Sequence, residues 1–328
     1  MKKTKLLTLL SASLMMVTLS GCDNTYKIGI LLPVEHAALQ SCTDGFLAGL
    51  KEAGLVEGKD FKTVIRNAGG KDSDLVNYAK DLVSSTNMTF GLGTGASQML
   101  KSAAKDKGSI NPILFSAVTD PVDATLVESL ENGKGFVTGA SDAQPINDQI
   151  QMIKLINPSA DKIGVIYTQT EENSKVQAEQ VKSAATSLGM STEIMTVTGP
   201  SDISAVALSL ASVEGIDAIY VPTDNNVAAN MNAVLQSANS KNILVVAAEE
   251  GSLTSGGHIS FSFSYNDLGK ATGKMAAQII KGEKTAAQLP IKLMGKEDCK
   301  YMYSSANLVG TSIVLPESFT SNAVDVSK

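Results

Sequence analysis

The sequence predicts an α/β protein of two doubly wound parallel-sheet lobes, joined by a hinge that the chain crosses several times. From residue 26 onward, short β-branched runs alternate with longer segments of helical period, and the alternation starts again after Asn157 and Pro158. Repeated strand–helix units of this kind form parallel sheets covered by helices on both faces. A chain of 328 residues is also long for one small core, which favours two lobes.

Each lobe is predicted from its own series of strand-like and helix-like segments. In the first lobe we expect strands at 27–32, 62–66, 88–91, 112–117 and 135–139, and helices at 39–53, 72–85 and 96–105. In the second we expect strands at 162–167, 192–197, 217–221 and 243–247, and helices at 146–156, 173–188, 203–213 and 225–238. A polar loop at 249–257, a strand at 258–264 and a helix at 266–281 follow.

The segments after residue 251 are too small for a third domain, so we expect them to complete the two lobes by crossing back. This assigns residues 22–142 and about 252–287 to lobe 1, residues 143–251 and about 288–318 to lobe 2, and residues 319–328 to a frayed polar tail. Several crossings make a hinge, and a hinge between doubly wound lobes places a cleft at the carboxyl ends of both sheets.

Residues 1–21 are typical of a lipoprotein signal peptide. Three lysines precede an apolar run at 6–19 that is too short to span a membrane as a helix. The run ends in Leu19-Ser20-Gly21-Cys22, which resembles the bacterial lipobox, where cleavage leaves the cysteine to be acylated. We therefore expect an exported protein, lipid-anchored at Cys22 and facing the periplasm or the cell exterior. The alternative is a short membrane anchor with a chance cysteine.

Charge and residue spacing disfavour several classes of function. The formal net charge is −6 at pH 7, whereas nucleic-acid binding requires a basic face. His36 and His258 stand in no metal-binding spacing, so we expect neither a metal nor a cofactor. We expect Cys42 and Cys299 to be free thiols, because cysteines so far apart in sequence imply no disulfide geometry.

Short motifs are spread over nearly all of the chain after residue 22. They are Glu35-His36, Gly45-Phe46, Gly49-Leu50, residues 115–122, residues 137–142, Asp224-Asn225, Leu268-Gly269-Lys270 with Met275, and Lys281-Gly282-Glu283. Together they resemble the type I periplasmic-binding fold proteins of ABC importers, in the branch of tryptophan- and tyrosine-binding lipoproteins. Ala37 and Gln40 depart from the family pattern, in which a proline and often an acid stand there, and this leaves the ligand open.

The resemblance implies a binding protein that captures a small zwitterionic ligand, an amino acid, and delivers it to ABC permease and ATPase subunits. It also implies that Glu35 and His36 border the ligand pocket, although a surface or capping histidine is the alternative. The motifs that follow the strands add four more candidate contacts, which are Ser116, Thr119, Ser141 and Asn225.

The ligand's carboxylate is expected at the glycine-rich loop of residues 91–96. Its glycines let backbone N–H groups approach an anion, and the following helix directs its positive N-terminus at the ligand. We therefore select Gly93, Thr94, Gly95 and Ala96 as candidates. Glycines that only permit a tight strand–helix turn are the alternative.

The ligand's ammonium is expected at acids that follow strands. The candidates are Asp120, Asp142, Asp224 and Glu249, with Glu250 as an alternative to Glu249. We expect Asp142 and Asp224, one from each lobe, to hold the ammonium jointly. Each acid is as well explained as a helix cap, because Asp at a strand–helix junction caps by default. Tyr167, with Phe115, could form an aromatic wall, although aromatic residues in strands usually belong to the core.

Two other functions compete with this interpretation. Gly91, Gly93 and Ala96 fit a dinucleotide-binding fingerprint, and Asp120 follows at about the expected distance, but this spacing is common in doubly wound lobes. No plausible hydride-transfer residue accompanies it, and no Gly-x-Ser-x-Gly motif occurs. The other alternative is a ligand-sensing receptor subunit at the cell surface, which the sequence does not distinguish from an importer subunit.

Overall fold

The computed structural model describes residues 25–131 and 135–327, which form thirteen β-strands and eleven α-helices. The strands are β1 (Tyr26–Leu32), β2 (Phe61–Asn67), β3 (Met88–Leu92), β4 (Ile113–Val118), β5 (Val137–Ser141), β6 (Lys162–Thr168), β7 (Ser191–Val197), β8 (Ala218–Val221), β9 (Leu244–Ala247), β10 (Ile259–Ser262), β11 (Lys292–Leu293), β12 (Lys300–Tyr303) and β13 (Val324–Asp325).

The helices lie mostly between the strands. They are α1 (Ala37–Glu52), α2 (Asp72–Ser85), α3 (Thr94–Lys107), α4 (Ile146–Ile156), α5 (Glu172–Ser187), α6 (Ile203–Ala211), α7 (Asn225–Ala228), α8 (Met231–Asn239), α9 (Glu250–Gly256), α10 (Tyr265–Ile280) and α11 (Glu317–Thr320). The predicted helix at 225–238 is therefore two helices. Within the described residues, no helix combines the length and apolar character needed to cross a membrane.

Two separate sheets confirm the predicted α/β fold with two lobes. The first has the strand order β11-β5-β4-β3-β1-β2, and the second has the order β13-β12-β10-β9-β8-β6-β7. Strand pairing is parallel except between β10 and β12. Buried apolar clusters lie on both faces of each sheet, as covering by helices requires.

The chain crosses between the lobes three times, but the crossings lie at other points than predicted. They follow β5, β10 and β11. Ile259–Ser262 belongs to the second sheet, and Lys292–Leu293 to the first, so both predicted lobe boundaries in this part of the chain are wrong. Neither short strand has a distinctive period, and the pairing partner alone decides its lobe.

Two expectations for irregular segments are also wrong. The predicted loop at 249–257 contains helix α9, which the Glu249 carboxylate caps by accepting the backbone N–H groups of Gly251 and Ser252. The predicted frayed tail at 319–328 contains Phe319, which is 2% exposed, and β13, which pairs with β12. Tertiary contacts therefore order both segments.

Helices α1 and α10 pack unusually closely in the first lobe because glycines form their contact. A Cβ atom on Gly45 would lie 2.0 Å from the Asn266 carbonyl oxygen, and one on Gly269 would lie 2.0 Å from the Cys42 carbonyl oxygen. Only glycine allows the two backbones to approach this far. This packing places the beginnings of both helices, α1 and α10, at the cleft between the lobes.

Candidate functional site

The carboxyl ends of the strands of both sheets meet at a small cavity between the lobes, called the inner cavity below. His36, Leu39 and Ala117 line it from the first lobe, Asn173, Thr223, Asp224, Asn225, Ala228 and Glu249 from the second, and Asp142 and Tyr265 at the crossings. It holds about 10 Å³ of water-accessible space, roughly the volume of one water position. A molecule the size of an amino acid therefore needs the lobes to move apart.

A larger groove adjoins the inner cavity and is called the outer groove. It has a volume of about 370 Å³ and shares Asn173 and Asn225 with the inner cavity. Thr94 and Gly95 line it from helix α3, beside the apolar side chains of Pro33, Val34, Leu75, Val76 and Met99. The two spaces therefore lie side by side along these shared residues, and together they have polar and apolar walls.

Direct hydrogen bonds hold the two lobes together at this cleft. His36 Nε2 lies 3.2 Å from Asn225 Oδ1, and the hydroxyl oxygens of Thr119 and Thr223 are 3.2 Å apart. Gln177 Nε2 of the second lobe also donates to Thr119 Oγ1 at 3.0 Å. The lobes are therefore closed upon each other in this structure.

Asp142 is the acid with unused hydrogen-bonding capacity at the inner cavity. Its Oδ2 accepts a hydrogen bond of 2.5 Å from the Tyr265 hydroxyl, whereas the buried Oδ1 has no hydrogen-bond partner among the described residues. Burial raises the pKa of Asp142 to about 6, and the hydroxyl groups of Tyr265 and Thr119 partly oppose this. A cation at Oδ1 would satisfy the buried carboxylate.

Asp224, the predicted partner of Asp142, is instead engaged as a helix cap. Its Oδ1 accepts the Val227 N–H at 2.9 Å and the Thr168 hydroxyl at 2.8 Å, and its Oδ2 accepts the Thr168 N–H at 2.6 Å. These donors fix the end of β6 against α7. Glu249 likewise caps α9, and burial raises the pKa of Glu249 to about 7. The structure therefore favours the capping alternative for both acids.

The residues predicted to form an anion cradle lie at the N-terminus of α3. Gly93 has φ = 82°, a left-handed conformation that a residue with a side chain adopts at a cost. The Thr94 hydroxyl oxygen is buried and has no hydrogen-bond partner in the described part of the chain. The amides of Gly95 and Ala96 lie in the first turn, where no helical carbonyl can accept them. Oriented donors of this kind suit a carboxylate.

Three predicted contacts lie inside the lobes rather than at the cavity wall. The Ser116 hydroxyl is 2.6 Å from that of Thr272 on α10, and Ser141 Oγ donates to the Thr119 carbonyl. Tyr167 packs against the core of the second lobe, as Phe115 does in the first. The aromatic wall expected from Tyr167 and Phe115 is therefore core, in agreement with the alternative interpretation.

Two other predicted contacts face solvent. Glu35 is exposed and accepts a 3.4 Å hydrogen bond from Asn67 Nδ2, so of the Glu35-His36 pair only the histidine lines the inner cavity. Asp120 is also exposed, and its carboxylate accepts the N–H groups of Val122 and Asp123 in a turn. Its place after β4 brings it near the cleft, but its side chain serves the local turn.

Several cleft residues were not predicted. Tyr265 was missed because its partner, Asp142, lies 123 residues away in sequence. Ala117 lines the inner cavity with φ = 56°, at a register shift between Phe115 and Val118 that periodicity does not reveal. Asn173 and Glu171 precede or begin α5, so their position after β6 was a usable signal.

The fold and this cleft define a two-lobed binding protein, and comparison with known proteins identifies its family. Residues 27–326 match the family described as ABC transporter substrate binding protein. The chain belongs to this family. Among characterised relatives, a tyrosine-binding protein of Clostridioides difficile (strain R20291) is 33% identical over 273 residues, which cover 83% of this chain and 77% of the relative.

Solved structures show the same architecture. An ABC domain in complex with L-Trp from Streptococcus pneumonia has a TM-score of 0.84 at 32% identity, covering 92% of this chain and 99% of that one. The ligand-free, open structure of a substrate-binding protein with adhesive properties from Clostridium difficile has a TM-score of 0.67 at 31% identity, covering 93% and 100%. At nearly equal identity, the overall shape is closer to the L-Trp complex, in keeping with the closed lobes.

Proposed function

We propose that this chain is the exported, lipid-anchored binding subunit of an ABC importer, and that it binds an amino acid in the cleft between its lobes. The observation that carries the proposal is the polarity of the cleft. One carboxylate oxygen of Asp142 is buried without a partner and would be stabilised by a cation. The N-terminus of α3, at Thr94, has free N–H groups that can donate to an anion. A zwitterion supplies both charges.

The walls of the cleft support a ligand with a large, mostly apolar side chain. The outer groove presents Leu75, Val76 and Met99 beside the anion donors, and the small side chains of Ala117 and Ala228 line the inner cavity, which must widen to admit a ligand. Concave apolar walls with few convergent polar groups are typical of small-molecule sites. Two relatives that are described as binding tyrosine or holding L-Trp make aromatic amino acids the first class to test.

Export and anchoring are proposed from the sequence. Cys22 and the apolar run before it lie outside the described residues, so their support is the lipobox pattern alone. An acylated cysteine would hold the binding lobes at the membrane surface, where a permease can receive the ligand from them. No nucleophile with a base beside it was found in the sequence, and we expect the ligand to be released chemically unchanged.

Calorimetric titration of the soluble protein, beginning at residue 23, tests the ligand class. We expect saturable binding of at least one amino acid and none of nucleosides. Asp142→Asn should weaken binding strongly, whereas the matched control Asp120→Asn makes the same substitution at an exposed side chain and should leave affinity unchanged. Equal effects of both substitutions, or binding of nucleosides only, would contradict the proposal.

A ligand-sensing receptor subunit is the second candidate, and one observation favours keeping it. The similar protein from Clostridium difficile is described as a substrate-binding protein with adhesive properties, so substrate binding and a second property occur together in a relative. Uptake of labelled ligand separates the two functions. Cells that lack this chain should lose high-affinity uptake if it serves an importer, and should keep it if the chain only senses.

A further inference from the structure

The side chain of Asn225 is held in one orientation by Glu171. Asn225 Nδ2 donates to Glu171 Oε2 at 2.7 Å, and the same oxygen accepts the Asn225 backbone N–H at 3.0 Å. Glu171 Oε1 accepts the Asn226 backbone N–H at 3.2 Å. Burial and the neighbouring Asp224 carboxylate raise the pKa of Glu171, whereas the N–H donors of Asn225 and Asn226 oppose this. In the ionised form both Glu171 oxygens can only accept, and the Asn225 amide then presents its NH₂ group to them. Its carbonyl oxygen, Oδ1, is then directed at His36.

This orientation determines which ring nitrogen of His36 carries the hydrogen. Asn225 Oδ1 is only an acceptor, so His36 Nε2, 3.2 Å away, must donate. Burial lowers the pKa of His36 to about 4, so the ring is neutral at neutral pH. A neutral imidazole with its hydrogen on Nε2 has a bare lone pair on Nδ1. That atom is buried and has no hydrogen-bond partner among the described residues.

We propose that Glu171 and Asn225 hold His36 in its Nε2–H tautomer, so that His36 Nδ1 accepts a hydrogen bond from an N–H or O–H group on the ligand's side chain. The inference rests on the proposed function, in which Asp142 takes the ammonium and the N-terminus of α3 takes the carboxylate. His36 Nδ1 is the third buried polar atom at the cleft without a partner, and it is then left for the ligand's side chain. A phenol hydroxyl or an indole N–H supplies the required donor, whereas the phenylalanine ring has none.

The cost of an unpaired acceptor sets the expected selectivity. When one ligand donates to a buried acceptor and its analogue leaves that acceptor unpaired, the two ligands differ in affinity. This difference is larger than the one caused by a missing methylene group. We therefore expect tyrosine or tryptophan to bind at least about ten-fold more tightly than phenylalanine. Asn225 and Glu171 act through His36 and are positioning residues.

His258 provides an internal reference for a direct measurement of the tautomer. Its Nδ1 accepts the Val245 backbone N–H at 2.9 Å, so its Nε2 must carry the hydrogen that it shares with Asn239 Oδ1, also at 2.9 Å. The chain has two histidines in total, so the imidazole spectrum contains two rings. Unlike His36, His258 has both ring nitrogens paired within the protein.

Nitrogen NMR of histidine-labelled protein, with and without tyrosine, tests the tautomer. In the tyrosine complex both rings should be neutral with hydrogen on Nε2. In Glu171→Gln the His36 signals should shift toward a mixture of tautomers, while those of His258 stay unchanged. A His36 ring that is protonated, or that carries its hydrogen on Nδ1 in the wild-type complex, would overturn the inference.

Titration with tyrosine, tryptophan and phenylalanine tests the ligand contact. His36→Leu should abolish the discrimination against phenylalanine, and His36→Gln, which keeps an acceptor, should retain part of it; thermal unfolding verifies that both variants fold. If the wild type binds phenylalanine as tightly as the other two, the inference is wrong while the proposed function stands. If the wild type binds no amino acid, the proposed function fails, and the ligand contact of His36 fails with it.

Discussion

The Tyr265 hydroxyl donates a 2.5 Å hydrogen bond to Asp142 Oδ2, and this bond joins two of the three segments that cross between the lobes. Asp142 follows the last long strand of the first sheet, and Tyr265 begins α10 directly after the chain returns from the second sheet. The ligand-binding acid that we propose is therefore oriented by the hinge itself. Movement of the hinge segments and the position of the Asp142 carboxylate at the inner cavity should therefore be linked through this hydrogen bond.

Replacement of Asp142 by Asn should weaken amino-acid binding by an amount on the order of 2–5 kcal/mol, because a buried ammonium would lose its compensating charge. Tyr265→Phe keeps the charge and removes only the hydrogen bond to Oδ2, so its effect should be smaller. Calorimetry on both variants measures the difference. A larger loss in Tyr265→Phe than in Asp142→Asn would show that orientation, and not charge, determines binding.

Replacement of Asp224 by Asn should lower stability and largely spare affinity. Its carboxylate caps α7 and accepts both the N–H and the hydroxyl of Thr168, so an amide would leave one of these donors unpaired. We expect a loss of about 1–3 kcal/mol in the free energy of unfolding. Denaturant unfolding and ligand titration of the same preparation separate the two quantities. A loss of affinity as large as that of Asp142→Asn would restore the joint ammonium site expected from the sequence.

The contrast between Asp142 and Asp224 shows what the sequence can predict and what it cannot. Strand and helix positions followed from hydrophobic period, and both acids follow strands as a cleft residue should. Whether such an acid caps a helix or faces a ligand depends on donors that are distant in the chain. Thr168 lies 56 residues from Asp224, and Tyr265 lies 123 residues from Asp142.

The same limit explains the errors in the fold. Five of the seven residues of helix α9 are Gly, Ser or Thr, which have poor helix propensity, yet the Glu249 side chain and packing against α1 and α8 stabilise the helix. The two-residue strand β11 carries no periodic signal, so its pairing with β5 could not be foreseen. In contrast, the glycines of α1 and α10 were visible in the sequence as motifs, and the close helix contact gives their physical reason.

Ligand affinity should fall as the pH is lowered through the pKa of Asp142, which burial raises to about 6. The carboxylate must be ionised to hold an ammonium, so acidification from about pH 8 to about pH 5 should reduce affinity by about ten-fold. Glu249, Tyr265 and the Cys42 thiol face the same region. The pKa of Glu249 is raised to about 7, and its protonation adds to the fall in affinity only if Glu249 interacts with the bound ligand.

Calorimetry at several pH values measures this trend, and buffers of different ionisation enthalpy reveal the proton released on binding. The stability of the ligand-free protein should change in the opposite sense. A carboxyl whose pKa is raised in the folded state contributes stability that is present below its unfolded pKa and is lost as the pH rises through about 6. Affinity that stays constant across this range would remove Asp142 from the site.

Replacement of Cys22 by Ser should release the folded protein from the membrane, because acyl chains on this thiol are the proposed anchor. The binding lobes begin after this position and should keep their affinity. Cell fractionation with a high-salt wash measures anchoring, with Cys42→Ser as the matched control for loss of a thiol. Tight retention of Cys22→Ser in the membrane fraction would favour the alternative of an uncleaved membrane anchor.

Ligand binding should stabilise a closed arrangement of the lobes. The inner cavity is too small to admit an amino acid without movement, and His36, Thr119 and Gln177 connect the lobes by only a few hydrogen bonds. Few polar contacts give a small free-energy difference between open and closed states, so a ligand that bridges Asp142 and α3 can shift the population. Small-angle scattering should show a smaller radius of gyration with ligand than without.

Thr223→Val removes one lobe-to-lobe contact at the cavity wall and should increase the radius of gyration of the ligand-free protein while leaving that of the complex nearly unchanged. Identical radii with and without ligand in the wild type would show that binding does not require closure, and would leave the hinge without a role in capture.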